Sequence, residues 1–141
     1  AIAVPTFRNV SLGSRLASTA NDLLASIQLA PGEAMKANGT LPLCASANGT
    51  TCAASGGWEQ GWIIRDAAGN VYEHEAALDD GYTVAQAGGT SAISFLPIGL
   101  GATAATFTVC RDDPLGSQER VLTMRASGAA YVTTTETGVC P

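Results

Sequence analysis

Histidine occurs once in these 141 residues, and charge of either sign is scarce: seven Lys and Arg, twelve Asp and Glu, 13% of the chain. A Ser/His/Asp mechanism would have to use His74, which sits in Tyr72-Glu73-His74-Glu75. A surface imidazole between two carboxylates is ordinarily just solvated. There is no G-x-S-x-G elbow and no phosphate loop ending in Gly-Lys-Ser/Thr. No C-x-x-C pair accompanies the lone histidine, so a zinc site is not expected. No run approaches the roughly 20 apolar residues of a membrane span. The seven basic residues are scattered, and the net charge of −5 repels phosphate at long range. These scarcities leave no supported enzyme class, and no cofactor or metal is implied.

What is present changes character once, near residue 37. Residues 1–36 read as one long helix. Leu12, Leu16, Ala20, Leu23, Leu24 and Ile27 recur at spacings of three and four, which places them on one face expected to pack on the rest of the protein. Val4 and Phe7 lie beyond any local core. If the helix protrudes there, they are exposed to a membrane or a neighbouring subunit. Pro31-Gly32 predicts a helix end or kink near Ala30, with residues 33–36 as a separate turn.

Residues 37–141 read as short antiparallel strands separated by Gly, Asn and Asp turns. Residues 41–46 and 51–53 are expected to form a hairpin about Asn48-Gly49. Residues 58–65, 71–73, 82–86, 91–96, 105–111, 120–125 and 130–134 are the further strand candidates. The fold class is α+β. Gly61, between Trp58 and Trp62, marks a bulge or a close approach of another backbone. Asp79-Asp80 and Asp112-Asp113 could offer oxygen to Ca²⁺ but sit where turns begin, and the turn reading is preferred.

All four cysteines fall in this second part, and disulfides in an oxidising compartment are expected. Three connectivities are possible. Cys44–Cys52 and Cys110–Cys140 is the preferred one: the first closes a short loop around Asn48-Gly49, and the second ties the chain end to an interior strand. The start, Ala1-Ile2-Ala3-Val4-Pro5, reads as the tail end of a hydrophobic segment lying upstream.

In this order and spacing the pieces resemble the GspH/FimT-type minor pilins and pseudopilins. The resemblance is carried by Ala1-Ile2-Ala3-Val4-Pro5-Thr6-Phe7; by Ala20-Asn21-Asp22-Leu23-Leu24 through Glu33-Ala34; by Leu43-Cys44, Cys52 and Trp58-x-x-Gly61-Trp62; and by Thr106-Phe107-Thr108-Val109-Cys110 with terminal Cys140. It implies a pilin-like fold, with a long N-terminal helix on antiparallel sheets. It also implies a hydrophobic helical segment preceding Ala1, which anchors the subunit in the inner membrane facing the periplasm and later packs in an extracellular filament. The implied function is a non-enzymatic minor pilin of a pilus tip or priming complex, with other minor pilins and the major pilin as partners. A DNA-uptake subunit and a type II secretion pseudopilin are the alternatives.

Two departures bear on this. Family members commonly carry Arg-Ser-Glu-Ala where this chain has Pro31-Gly32-Glu33-Ala34. The DNA-binding members carry Gly-Arg-x-Arg where this chain has Gly128-Ala129-Ala130-Tyr131. Loss of two phosphate-contacting cations disfavours DNA binding. Arg111, Arg120 and Arg125 remain as a possible basic patch on neighbouring strands.

Overall fold

The structure, a computed structural model, describes residues 3–97, 104–111, 119–127 and 129–135, with side chains from residue 14 onward. Helix α1 runs Ala3–Ala37. Leu16, Ala20, Leu23, Ile27, Ala30 and Ala34 are all buried. Their alternating steps of four and three keep one seam against the sheets. Asn38 ends the helix in the left-handed region, at φ 52. The amide of Gly39 then reaches the Ala34 carbonyl at 3.2 Å, which closes the last turn and satisfies an otherwise orphaned acceptor.

The helix does not end at Pro31-Gly32: α1 continues through Pro31 to Ala37. Proline removes one intrahelical hydrogen bond, at a cost of about 3 kcal/mol in a free helix. Here Ala30 and Ala34 bury the turns on either side of it. Tertiary packing holds a turn that local propensity would release.

Among the described residues eight strands follow: β1 (Leu41–Ala45), β2 (Trp62–Arg65), β3 (Val71–Glu75), β4 (Tyr82–Gln86), β5 (Ala92–Phe95), β6 (Ala105–Arg111), β7 (Glu119–Met124) and β8 (Ala130–Thr135). They form two antiparallel four-stranded sheets, ordered β3-β2-β1-β5 and β4-β6-β7-β8. The helix packs on β1 and β5 of the first sheet and on β6, β7 and β8 of the second. In β6, Ala105, Phe107 and Val109 are buried, while Thr106 and Thr108 on the other face are partly exposed. That is the period-two pattern of a half-buried strand.

Two sequence-based strands are corrected. Residues 51–53 do not form a hairpin with β1, whose two neighbours are β2 and β5. Asn48 is the local reason: its side-chain oxygen accepts the amides of Thr50 and Thr51 at 2.9 Å each, so the backbone curls into a turn instead of a ladder. Trp58 is not in a strand either. Residues Trp58–Gln60 make one 3-10 turn, and Gly61, at φ 105 and ψ 170, redirects the chain into β2.

Candidate assembly surface

The helix and first sheet are joined by a buried hydrogen bond, in which the Trp62 indole donates to the Ser26 hydroxyl at 3.0 Å. Trp62 therefore faces α1, and strand alternation turns Ile63 to the opposite face of the sheet. Ile63 is nonetheless fully buried, as is its cross-strand neighbour Cys44. The 46–57 loop lies over that face. The Cys44–Cys52 disulfide pins it, with Cα atoms 5.5 Å apart. Further ties are Ala53 N–H to the Ala45 carbonyl at 2.7 Å and the Ser91 hydroxyl to the Ala53 carbonyl at 3.1 Å. Gly49 comes so close to His74 that a Cβ there would stand 2.8 Å from Nε2. His74, itself exposed, thus lies against Gly49 of this strap. Cutting the bond frees a span of eight residues, worth about 2.5 kcal/mol in the chain-entropy relation. Cys52→Ser is expected to lower the urea-unfolding free energy by about that amount.

The other predicted site residues separate. Leu24 is half-buried against the core that holds Leu16, Ala20, Leu23 and Ile27. The side chains of Val4, Phe7 and Leu12 lie outside the described residues, as do Cys140 and Asp112-Asp113. Cys110 is buried and disulfide-bonded. Arg111, Arg120 and Arg125 do not form one patch. Arg111 is buried, and Arg120 pairs with Val109 on the core side of the sheet. Arg125 lies just beyond the far end of β7, five residues from Arg120 and of opposite parity, so it points to the other face. Its guanidinium sits 5.7 Å from the Tyr131 ring centroid, within cation–π range. An odd spacing along one strand divides two of these cations between faces, and burial removes the third.

Side-chain hydrogen bonds brace the exposed rim. At the β2–β3 turn, Asp66 accepts from the Asn70 amide, the Asn70 side chain and the Tyr72 hydroxyl, each at 2.9 Å. These bonds, those from Asn70 first, hold its carboxyl at about 2. At the end of β3 the opposite happens. Burial pushes the Glu75 carboxyl up, Asp22 and Glu73 add repulsion, and His74 offsets part of it. The folded state thus holds the Glu75 proton more tightly, so this contribution to stability is lost as pH rises through the raised value. Asp79, read from sequence as part of a turn, forms an ion pair with Arg15 of α1. No local signal marks that pairing, because the partners are far apart along the chain. Exposed apolar side chains are spread over the surface: Leu29 and Met35 on α1, Tyr72 on β3, Leu96 after β5 and Tyr131 on β8.

The same fold occurs in solved structures of a minor pilin and a minor pseudopilin. The crystal structure of the type IV minor pilin FimU of Pseudomonas aeruginosa superposes with TM-score 0.63 over 88% of this chain and 92% of that one, at 20% identity. A second crystal form of FimU gives 0.64 over 84% and 92%, again at 20% identity. The minor pseudopilin EpsH of the Vibrio cholerae type 2 secretion system gives 0.59 over 84% and 95%, at 12% identity. No curated protein matches the chain significantly in sequence. Residues 19–129 match the family described as "Type II transport protein GspH". That match takes in the second half of α1, strands β1 to β7 and the strapped loop, and the chain belongs to the GspH family of minor pilins and pseudopilins.

Proposed function

We propose that this protein is a non-enzymatic minor pilin of a type IV pilus, acting in a tip or priming complex that promotes assembly. The observation that carries the reading is the helix with its buried seam clamped to two sheets, the fold shared with FimU and EpsH. The long helix is the assembly element, and the disulfide-strapped sheets are the surface offered to neighbours. In this reading the subunit is held in the inner membrane, facing the periplasm, through a hydrophobic continuation of α1 upstream. Among the described residues no helix is itself long and apolar enough to cross a membrane. The partners are other minor pilins and the major pilin. DNA is disfavoured as a partner, because the three candidate arginines are divided between burial and two sheet faces.

The test is co-purification of the full-length protein with the minor pilins encoded beside it, together with counting of surface pili after deletion. Association and a loss of pili are expected. No association with normal piliation would sink the reading. Association with secretion-system subunits instead would make the protein a pseudopilin.

A further inference from the structure

The run Ala-Asn-Gly-Thr occurs at 37–40, where α1 gives way to β1, and again at 47–50, in the strapped loop. Asn-Gly is the pair in which an asparagine most readily loses its own amide. The glycine backbone nitrogen attacks the asparagine Cγ, ammonia leaves, and a succinimide ring closes. Water then opens the ring at either carbonyl, giving aspartate or isoaspartate. Water enters and ammonia departs, so the step needs no enzyme, oxidant or cofactor. Glycine has no Cβ to hinder the closure. With the same residues on either side, what separates the two copies is how firmly the fold holds the reacting groups.

At Asn48 they are held on every side. Its side-chain oxygen accepts the Thr50 and Thr51 amides at 2.9 Å each and the Ser46 hydroxyl at 3.2 Å. Its side-chain nitrogen donates to the Thr51 hydroxyl at 2.7 Å. The nucleophile is held as well, because the Gly49 N–H donates to the Ser46 hydroxyl oxygen at 3.0 Å. Swinging Cγ onto the Gly49 nitrogen breaks these bonds, in a loop tied down by the Cys44–Cys52 disulfide. Asn38 differs. It is exposed, and its side chain makes no hydrogen bond among the described residues. It is also the one non-glycine among them with a positive φ. Its nucleophile is restrained by a single main-chain bond, from the Gly39 N–H to the Ala34 carbonyl at 3.2 Å. That bond closes the last turn of a helix, where hydrogen bonds open first.

We propose that Asn38 is a self-modification site: the folded protein converts it through a succinimide to isoaspartate and aspartate, while Asn48 is shielded by its turn. Isoaspartate routes the main chain through the former side chain and so adds a methylene between α1 and β1. Either product places a negative charge at the carbonyl end of the helix, where the dipole is already negative. The change falls on the joint between the helix and the first strand it packs against. The site does not depend on the assembly reading.

The experiment is incubation of the 141-residue chain in mildly alkaline buffer, sampled over days. Trypsin cuts after Lys36 and Arg65, so both Asn-Gly pairs fall in one peptide, 37–65. After brief digestion and reduction, electron-transfer fragmentation of that peptide assigns the amide-to-acid mass gain, and any isoaspartate, to position 38 or 48. Conversion at Asn38 is expected to outrun that at Asn48 at least about tenfold, since each additional hydrogen bond lowers the reactive population roughly twofold to tenfold. In urea concentrated enough to unfold the chain, the two positions are expected to convert at equal rates. Gly39→Ala suits the fold, because its Cβ would meet only the Ala37 carbonyl oxygen, at 3.9 Å. It is expected to slow conversion at Asn38 on the order of tenfold by hindering closure. Ser46→Ala releases both the Gly49 N–H and the Asn48 oxygen. It is expected to speed Asn48 about twofold to tenfold and to leave Asn38 unchanged. The amide NMR spectrum of each variant reports directly that it folds. Equal rates at the two positions of the folded protein, faster conversion at Asn48, or conversion at Asn38 only once urea unfolds the chain would overturn the proposal.

Discussion

Gly61→Ala is expected to destabilise the fold by about 4 kcal/mol, although it adds one methyl group. Two independent effects act at that position. The backbone sits at φ 105 and ψ 170, a region that essentially only glycine occupies and that costs other residues about 1–3 kcal/mol. The added Cβ would also stand 2.5 Å from the Glu75 carbonyl oxygen and 3.0 Å from that of Ser46. Both obstacles are backbone, so no side chain can swing away. Moving them strains the β2–β3 ladder on one side and the Ser46 N–H to Gly61 carbonyl bond, 2.8 Å long, on the other. Overpacking of this kind costs about 1–3 kcal/mol more. Gly89→Ala isolates the backbone effect. Its φ is 74, and nothing lies within 4 Å of an added Cβ, so a loss of only about 1–2 kcal/mol is expected. Urea unfolding of both variants decides the matter. Equal losses at 61 and 89 would show that the close approach carries no weight.

Gly61 also shows where the sequence was informative. A glycine between two tryptophans signalled a bulge or a close backbone approach, and the Glu75 and Ser46 carbonyls make it the approach. The alternation of Phe107 and Val109 with Thr106 and Thr108 placed β6 at its observed bounds, because a strand with one buried face writes its period into the chain. Tyr82–Gln86 was likewise placed at its observed bounds. Local signals failed where distant packing overruled them. Pro31 is an honest helix breaker held in place by the burial of Ala30 and Ala34. Asn48-Gly49 is a true turn, with Gly49 at φ 75, but strand partners are chosen by the sheet, and β1 had β2 and β5 available. The split between Arg120 and Arg125 was readable from their odd spacing, whereas the burial of Arg111 was not.

Trp58→Ala is expected to cost about 4 kcal/mol, within the range for removing a buried indole. Trp58 is 1% exposed and stands edge-on to Phe107, with centroids 4.8 Å apart and planes at 80°. Its indole N–H donates to the Thr90 carbonyl at 3.0 Å. It thus joins three parts of the fold at once: the 3-10 turn before β2, the β6 strand of the second sheet, and the turn before β5. The hydrogen bond and the ring volume are separable. Trp58→Phe keeps an aromatic edge against Phe107 but strands the Thr90 carbonyl. It is expected to cost about 2 kcal/mol, roughly half from the lost bond and half from the smaller ring. The volume effect therefore dominates in Trp58→Ala. For a chain of this size about 4 kcal/mol corresponds to a fall in Tm of roughly 15 °C. Thermal unfolding should rank wild type above Trp58→Phe and Trp58→Ala lowest. A phenylalanine variant as unstable as the alanine variant would mean that the Thr90 bond, and not the filling of the space between the sheets, is what Trp58 contributes.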